Sequence, residues 1–296
     1  MHIAALFKAN YAAARSDYWK GFNVQATKAN GACKNQNDWL YDLNKLNSLQ
    51  GEEFNSIRVF ASSDCDTLVH AIPAALATGK RILVGIWTQD ESHFEAEKQA
   101  LLKAVRQYGF DWMVAVSVGS EDLYRKETSA RRLSEQIYDV RGMLSTVYGY
   151  SERIEVGHVD TWNSWIDGSN IDVIKACDFI GVDIYPYFQY SDPNSIENNF
   201  RLFWEGIEKV HNTVLLAGGK KSRASVWVTE TGWPTTGPKI NQAVPSVTNA
   251  QTYWRNVTCS SFKLKHTFAY SLQDYAATTS FGVLDTNGIP QYDLSC

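Results

Sequence analysis

Apolar residues along the chain follow two alternating patterns. Short runs of β-branched and aromatic residues are typical of buried strands, and longer stretches with an apolar residue every three or four positions are typical of amphipathic helices. The first pattern predicts strands over residues 21–26, 56–61, 81–87, 113–121, 154–162, 178–185, 226–230 and 266–273. The second predicts helices over residues 38–49, 67–78, 91–108, 129–147, 195–210 and 248–262.

The alternation of strands with helices predicts an α/β fold, a single (β/α)8 TIM barrel. An open, doubly wound parallel sheet is the alternative architecture. Its strand-to-helix turns would be expected to carry a GxGxxG or GxxxxGK[ST] motif if it bound a dinucleotide or a nucleotide, and the chain has neither. We therefore favour the barrel and expect no cofactor.

Length and composition are those of one domain. An α/β barrel of 296 residues is common as an undivided unit, and 44% hydrophobic residues suit a well-filled core. No low-complexity segment or linker divides the chain. We assign residues 19–296 to the barrel and residues 1–18 to an N-terminal extension of open status, because their brief apolar patch is too short for a convincing signal peptide.

Charge and cysteine content argue against several classes of function. A net charge of -4 without a basic stripe makes nucleic acid an unexpected partner. No apolar run reaches the roughly 18 residues of a membrane span. The 5 cysteines lack the spacing of a metal site, so we expect no bound metal. The 10 tryptophans and 15 tyrosines offer flat faces for sugars or bases, although core packing explains most of them.

Two of the predicted strands end on glutamates. Glu230 ends the seventh strand and is followed by the chain-breaking Gly232 and Pro234, while Glu121 ends the fourth. A surface turn is the ordinary explanation for an isolated glutamate, but the strand ends of a TIM barrel face one cleft. Cleavage of a glycosidic bond needs one carboxylic acid and one carboxylate, about 5 to 5.5 Å apart when configuration is retained.

The residues around both glutamates resemble glycoside hydrolase family 17. Residues 227–234 (WVTETGWP) are similar to its nucleophile signature, and residues 118–125 (VGSEDLYR) resemble the acid/base segment of its fungal cell-wall branch. The resemblance extends from residue 21 to residue 296 and includes residues 63–65, 160–163 and 245–247. It implies that Glu230 attacks the anomeric carbon of a β-1,3-glucan while Glu121 protonates the departing oxygen and later acts as the base.

The resemblance also implies residues that contact the sugar, for whose aromatic members packing at the top of the barrel is the alternative role. They are Ser120, Tyr124, Asp160, Trp162, Asn163, Tyr185, Trp233 and Asp274. The chain departs from the family at Ser120, where the wider clan has asparagine, and at residues 270–275, which lack two family glutamates and leave any assisting carboxylate role to Asp274. Arg58 either orients a carboxylate or forms an ion pair in the core.

The family likewise implies disulfides Cys33–Cys65 and Cys259–Cys296, with Cys177 buried outside them. Such bridges belong to an oxidising compartment. The implied protein is a monomeric, secreted or cell-wall β-1,3-glucanosyltransferase that transfers the cleaved chain to another β-1,3-glucan or laminari-oligosaccharide. Hydrolysis, with water as the acceptor, is the alternative, and a non-catalytic glucan-binding barrel is the alternative from another class. Serine hydrolase and metallohydrolase chemistry lack their GxSxG and HExxH motifs.

Overall fold

The computed structural model describes residues 18–218, 225–275 and 277–296. Its strands form a closed parallel barrel in sequence order, with the last strand paired to the first. They are β1 (Lys20–Asn23), β2 (Ser56–Arg58), β3 (Arg81–Ile86), β4 (Met113–Ser120), β5 (Val156–Thr161), β6 (Phe179–Asp183), β7 (Ser225–Glu230) and β8 (Thr267–Ala269). The predicted TIM barrel is confirmed. The predicted N-terminal extension lies outside the described residues, apart from Tyr18.

Helices follow the strands and surround the barrel. They are α1 (Gln36–Ser48), α2 (Thr67–Thr78), α3 (Glu91–Tyr108), α4 (Ala130–Ser145), α5 (Trp162–Trp165), α6 (Ile171–Ala176), α7 (Asn199–Ala217), α8 (Val247–Tyr253) and α9 (Cys259–Leu264). A short π-helical segment, Trp254–Thr258, joins α8 to α9, so the predicted helix over residues 248–262 consists of three segments. None of the helices among the described residues has the length and apolar character of a membrane span.

The hydrophobic core has two layers because successive strand residues point to opposite faces of the sheet. Residues facing outwards, such as Ile82 and Val84 on β3, pack against the helices. Residues facing inwards, such as Leu83 on the same strand, fill the barrel interior together with Phe179 and Trp227. The interior is therefore packed, and polar side chains at the strand ends project into the space above this packed layer.

Two disulfides fasten long connections. Cys33–Cys65 joins the loop after β1 to the segment before α2, and Cys259–Cys296 joins α9 to the end of the chain. These are the pairs that the family resemblance implies, and Cys177 is buried. Each bridge closes a loop of more than 30 residues, for which constraint of the unfolded chain contributes roughly 3–4 kcal/mol to stability.

Candidate active site

Glu230 lies at the end of β7, where donors from β2 and from the segment after β6 hold its carboxylate. The Arg58 guanidinium donates from Nη1 to Oε1 at 2.5 Å, and the Tyr185 hydroxyl donates to Oε2 at 2.7 Å. Glu230 is only 8% exposed and Arg58 only 1%. A buried carboxylate requires a compensating charge and hydrogen-bond donors, and this site supplies both.

The guanidinium of Arg58 is itself fixed in one orientation. Its Nη1 also donates to Asn23 Oδ1 at 2.8 Å, and its Nη2 donates to Ser120 Oγ at 3.0 Å. Asn23 in turn donates to the Thr229 carbonyl at 2.9 Å. Burial lowers the pKa of Arg58, but the charge and hydrogen bond of Glu230, together with smaller contributions from neighbouring acidic groups, outweigh burial and raise the pKa overall. The strands β1, β2, β4 and β7 therefore converge on one ion pair.

Asp183, at the end of β6, adds a third carboxyl group to this cluster. It is 1% exposed, and its Oδ1 accepts a hydrogen bond from the Thr229 hydroxyl at 2.8 Å. Its Oδ2 has no hydrogen-bond partner within the described parts of the chain. Burial first, and the charge of Glu230 second, raise its pKa well above the usual range. These effects favour the neutral form of the Asp183 carboxyl.

Glu121 occupies a different environment, on the turn after β4. Its backbone is left-handed, with φ 57°, and its side chain is 25% exposed, against 11% for that of Glu230. Burial and the charge of Glu230 raise the pKa of Glu121 to about 7, while Arg125 opposes the increase. Because one carboxyl raises the pKa of the other, the two share a site, and Glu121 is poised to give and to take a proton near neutral pH.

Hydrogen bonds to the backbone hold this turn. The Glu121 N–H donates to the Val159 carbonyl at 2.8 Å, and the Asp122 carboxylate accepts the Ser120 N–H at 2.6 Å. Gly119 is also left-handed, and a Cβ there would lie 2.3 Å from Asp122 Oδ2. A left-handed residue other than glycine costs roughly 1–2 kcal/mol. The hydrogen bonds of this turn therefore offset the cost of the left-handed backbone at Glu121.

Aromatic rings form a wall beside Glu230. Tyr185 makes edge contacts with Phe188, Tyr270 and Phe281, with ring centroids 5.4–6.1 Å apart. Phe188 is 45% exposed, so this wall reaches solvent. Burial and the charge of Glu230 raise the pKa of Tyr270 to about 12, so its hydroxyl remains protonated. Aromatic faces next to convergent polar groups are typical of a ligand site.

A cavity continues from the other side of Arg58. The ring of Phe60 lies 4.8 Å from the Arg58 guanidinium carbon, and Phe60 also lines a cavity of about 410 Å³ at the ends of β1 and β2. The wall of the cavity includes Thr27, Asp64 and the Cys33–Cys65 bridge at Cys65. The region around Glu230 is therefore bordered by aromatic rings on one side and by this open space on the other.

The structure brings together several of the residues that the sequence singled out. Tyr185 touches Glu230 directly, Ser120 accepts from Arg58, and Arg58 joins the two. Arg58 thus orients a carboxylate, which was one of its two predicted roles. Tyr124, on the turn that carries Glu121, is 54% exposed, and Asn163 is exposed after β5.

The carboxylates of Asp160 and Asp274 hold loops near the barrel top. Asp160 is fully buried, and its carboxylate accepts the backbone N–H groups of Leu123 and Thr161 at 2.9 and 2.7 Å. The Asp274 carboxylate accepts the N–H groups of Phe281 and Gly282 at 2.5 and 3.0 Å. Both carboxylates are therefore engaged within the chain, and their contacts with sugar stay predictions.

Trp233 and Trp162 both make packing contacts in the structure. Trp233 is 2% exposed, contacts the rings of Tyr187 and Tyr253 and donates from Nε1 to the Val244 carbonyl at 3.0 Å. It therefore packs the top of the barrel, which was its alternative role. The Trp162 ring lies against α7, where Lys209 Nζ is 5.3 Å from its centroid. Its contact surface is the packing face between α5 and α7.

Some residues of the site were missed from the sequence, namely Asn23, Arg125, His158, Asp183, Tyr270 and Phe281. Asn23 and Asp183 end β1 and β6, as Glu230 ends β7. The rule that singled out the glutamates, that polar side chains at strand ends face one cleft, identifies these two as well. The other missed residues lie on loops or inside the sheet, where the pattern has no comparable signal.

One further group of potential metal ligands lies outside this cleft. Asp64, His93 and Glu97 bring their ligand atoms within 4.8 Å of one another. Glu97 already accepts the N–H groups of Ser62 and Ser63 at 2.6 and 2.8 Å, and His93 Nε2 lies 2.8 Å from Asp64 Oδ1. These ligand atoms are engaged in hydrogen bonds that connect β2 to α3.

Comparison with known proteins places the chain in a sequence family. The model of the BtgE/BtgC glycoside hydrolase domain matches residues 21–283. A probable glucan endo-1,3-beta-glucosidase, eglC of Aspergillus oryzae, is 38% identical over 299 residues, which cover 94% of this chain and 63% of that protein. The glucan 1,3-beta-glucosidase of Schizosaccharomyces pombe is 34% identical over 289 residues, which cover 93% of this chain and 86% of that protein.

The chain thus spans less than two thirds of the length of the Aspergillus relative. Among solved structures, a glycoside hydrolase family 17 β-1,3-glucanosyltransferase from Rhizomucor miehei has a TM-score of 0.79 at 24% identity and covers 95% of this chain and 99% of its own. An active-site mutant of a Rhizomucor miehei β-1,3-glucanosyltransferase in complex with laminaritriose has a TM-score of 0.78 at 23% identity. At these identities the likeness shows a common fold.

Proposed function

Because the chain belongs to the BtgE/BtgC glycoside hydrolase domain family, we propose that it is a retaining enzyme that acts on β-1,3-glucan. The family assignment confirms the resemblance predicted from the motifs around the two glutamates. The observation that carries the proposal is the contrast between the two carboxyls: Glu230 is held by Arg58 and Tyr185, and Glu121 has a pKa raised to about 7. The names of the relatives support the choice of substrate.

The two carboxyls divide the reaction between them. A Glu230 oxygen forms a bond to the anomeric carbon as the glycosidic bond breaks, and Glu121 gives its proton to the leaving oxygen. A covalent glucosyl-enzyme results. Glu121, now ionised, takes the proton of an acceptor hydroxyl, whose oxygen bonds to the anomeric carbon and releases Glu230. The residues present account for both proton transfers.

We favour transfer to another glucan over transfer to water. The aromatic wall of Tyr185, Phe188, Tyr270 and Phe281 gives an acceptor sugar apolar faces close to Glu230. A sugar bound there would compete with water for the glucosyl-enzyme. Hydrolysis is the alternative, and it is supported by the names of the Aspergillus and Schizosaccharomyces relatives, which describe glucosidases.

The experiment that tests the proposal is incubation of the purified protein with a laminari-oligosaccharide of one length, followed by chromatography of the products. Products longer than the substrate support transfer, and shorter products alone support hydrolysis. No change with retained binding would support a non-catalytic glucan-binding barrel. Proton NMR of the first reducing ends released distinguishes retention from inversion, and inversion would contradict the roles given to the two glutamates.

We also propose that residues 19–296 form the catalytic domain of a monomeric, secreted or cell-wall protein. Both disulfides support an oxidising compartment. Activity of a chain that begins at residue 19 would support the boundary, and its loss with intact folding would contradict it. Sedimentation tests the monomer, and fractionation of the native source into cells, wall and medium tests the location.

A further inference from the structure

His158 on β5 lies fully buried next to the turn that carries Glu121. Its two ring nitrogens both face acceptors: Nδ1 is 2.7 Å from the Val118 carbonyl, and Nε2 is 3.0 Å from Asp160 Oδ2. We propose that His158 is a buried imidazolium cation that positions the Glu121 turn. This proposal rests on the proposed role of Glu121 as the acid and base.

The hydrogen-bond geometry distinguishes the protonation states of His158. A neutral imidazole has one N–H and one lone pair. With the proton on Nδ1, the lone pair of Nε2 would face Asp160 Oδ2, and with the proton on Nε2, the lone pair of Nδ1 would face the Val118 carbonyl. Either neutral form therefore places two acceptors in contact. Only the imidazolium donates to both partners.

Both oxygens of Asp160 already accept backbone donors. Oδ2, the oxygen that faces His158, accepts the Leu123 N–H at 2.9 Å, while Oδ1 accepts the Thr161 N–H at 2.7 Å. We place the proton shared by His158 and Asp160 on the imidazole ring, so that Asp160 is the anion and His158 the cation of a buried ion pair.

The charges around His158 come from its own strand and from the turn after β4. Asp160 belongs to β5, and Asp122 follows β4, with a carboxylate that accepts from the Ser120 N–H and the Thr88 hydroxyl. On the remaining side is the ring of Trp165, 5.5 Å away. Burial lowers the pKa of His158, but the hydrogen bond and charge of Asp160, together with the charge of Asp122, outweigh it and raise the pKa overall.

The two carboxylates connect His158 to the backbone on either side of Glu121. Asp122 binds the N–H of Ser120, the residue before Glu121, and Asp160 binds the N–H of Leu123, two residues after it. Loss of the cation would leave two buried carboxylates without a compensating charge. The turn, whose left-handed Glu121 depends on these bonds, would then shift. His158 touches neither sugar nor Glu121 and is a positioning residue.

Nitrogen NMR of the histidine-labelled protein tests the charge directly. His158 is expected to give the signals of a doubly protonated ring at pH 8, where an ordinary histidine is neutral. His266 is the internal control, because its Nδ1 accepts the Trp19 N–H at 2.9 Å and burial lowers its pKa to about 4. A neutral His158 under these conditions would overturn the proposal. This readout does not depend on activity.

The positioning role is tested with His158→Gln on two substrates, of which only one needs an acid. A laminari-oligosaccharide has a poor leaving group and needs the proton of Glu121, whereas dinitrophenyl laminaribioside does not. We expect kcat/KM to fall about 100-fold for the oligosaccharide and less than about fivefold for the aryl glycoside, since general acid catalysis contributes to the first alone. His266→Gln also replaces a buried histidine, and it should lower kcat/KM by the same factor for both substrates.

An equal loss on both substrates in His158→Gln would show general damage and overturn the positioning role. If His158→Gln does not fold, Asp122→Asn provides the same comparison, because it removes one of the charges that His158 compensates. We expect a smaller loss of kcat/KM in Asp122→Asn, again larger for the oligosaccharide than for the aryl glycoside. An equal loss on both substrates would again contradict the positioning role. Failure of the wild type to cleave either substrate would refute the proposed function and leave the NMR result on His158 unaffected.

Discussion

Glu230 and Glu121 are the same residue type at the same edge of one barrel, but their surroundings differ. Glu230 ends a strand and accepts from Arg58 and Tyr185, both of which come from other strands or their ends. Glu121 follows a strand on a left-handed turn, and the cation at its carboxylate is the partly exposed Arg125 at 3.1 Å. The difference supports the proposal that the environment, and not the residue type, distinguishes the nucleophile from the acid.

The two environments also differ in what keeps them in place. The position of Glu230 depends on hydrogen bonds that link several barrel strands through Arg58. The position of Glu121 depends on the buried charges of Asp122, His158 and Asp160 beneath its turn. We therefore expect substitutions near Glu230 to affect stability together with chemistry. Substitutions near Glu121 should mainly affect proton transfer and its pH dependence.

Replacement of the nucleophile gives the largest expected effect. In Glu230→Ala no oxygen remains to form the covalent intermediate, and we expect kcat to fall by roughly 10⁵-fold or more, as for other nucleophiles. The loss should be similar for a laminari-oligosaccharide and for dinitrophenyl laminaribioside, since both need the nucleophile. Initial rates on the two substrates provide the measurement. Full activity of Glu230→Ala would show that the nucleophile has been misassigned.

Replacement of Glu121 should separate the two roles. In Glu121→Ala the oligosaccharide loses its proton donor, and kcat/KM is expected to fall by about 10²–10⁴-fold. The aryl glycoside should be much less affected in kcat/KM, because dinitrophenolate leaves without a proton. Azide should increase the turnover of the aryl glycoside, since it attacks the glucosyl-enzyme without a base. Equal losses of kcat/KM on both substrates in Glu121→Ala would contradict the assignment of Glu121 as the acid.

Arg58→Met tests whether the hydrogen bonds around Glu230 contribute to the stability of the fold as well as to activity. Removal of one partner of a buried ion pair costs about 3–5 kcal/mol, and it also removes the bonds to Asn23 and Ser120. Arg141→Met is the matched control, because Arg141 binds Asp178 and two carbonyls at the opposite end of the strands. Both variants should unfold at lower denaturant concentration, but only Arg58→Met should lose activity. Equal activity of the two would contradict the assigned role of Arg58.

The sequence predicted the barrel and the two glutamates better than their surroundings. Strand periodicity and the rule for strand ends need only local patterns, and they identified β4 and β7 with the glutamates at or just after their ends. The packing partners of Asp160, Asp274 and Trp233 were not predicted, because a sequence shows a polar or aromatic residue near a cleft without showing which group it contacts. Burial and hydrogen bonds, as at Asp160, belong to the folded chain alone.

Substitution of Arg125, next to Glu121, should have a smaller effect, which is a shift in the pH dependence of kcat/KM. Glu121 must be protonated as the acid, so kcat/KM should fall as the pH rises through about 7. Arg125 lowers this pKa, and Arg125→Met should therefore move the basic limb to higher pH, by less than about one unit for a partly exposed pair. Arg131→Met, on the exposed face of α4, makes the same charge change away from the site and should leave the limb in place.

The sign of the linked stability follows from the same pKa. Folding raises the pKa of Glu121 from an ordinary value of 4.5 to about 7, so the folded state binds more protons between these values. The contribution of this group to stability is complete below 4.5 and is lost as the pH rises through about 7. Glu121→Gln should flatten this part of the stability curve. A basic limb that moves to lower pH in Arg125→Met would contradict the assignment of Glu121 as the acid.

Asp183→Asn is expected to change the least, although Asp183 lies in the same cluster as Glu230. Asparagine has nearly the shape of a neutral carboxylic acid and keeps an oxygen for the Thr229 hydroxyl. Burial and the charge of Glu230 raise the pKa of Asp183 well above its usual range, so we expect Asp183 to be neutral and the substitution to remove no charge. The value of kcat/KM should stay within about twofold of the wild type. The acid limb of its pH profile should stay within about a few tenths of a pH unit.

Asp183→Ala is the control, because it removes the bond to Thr229 and leaves a cavity, and it should lower stability. An ionised Asp183 would give a different result. Asp183→Asn would then remove a negative charge that competes with Glu230 for Arg58, and the acid limb would move to lower pH. The measurement therefore decides whether the Arg58 guanidinium serves one carboxylate or two. Arg58 accounts for the contrast between Glu230 and Glu121 only if it compensates the charge of Glu230 alone.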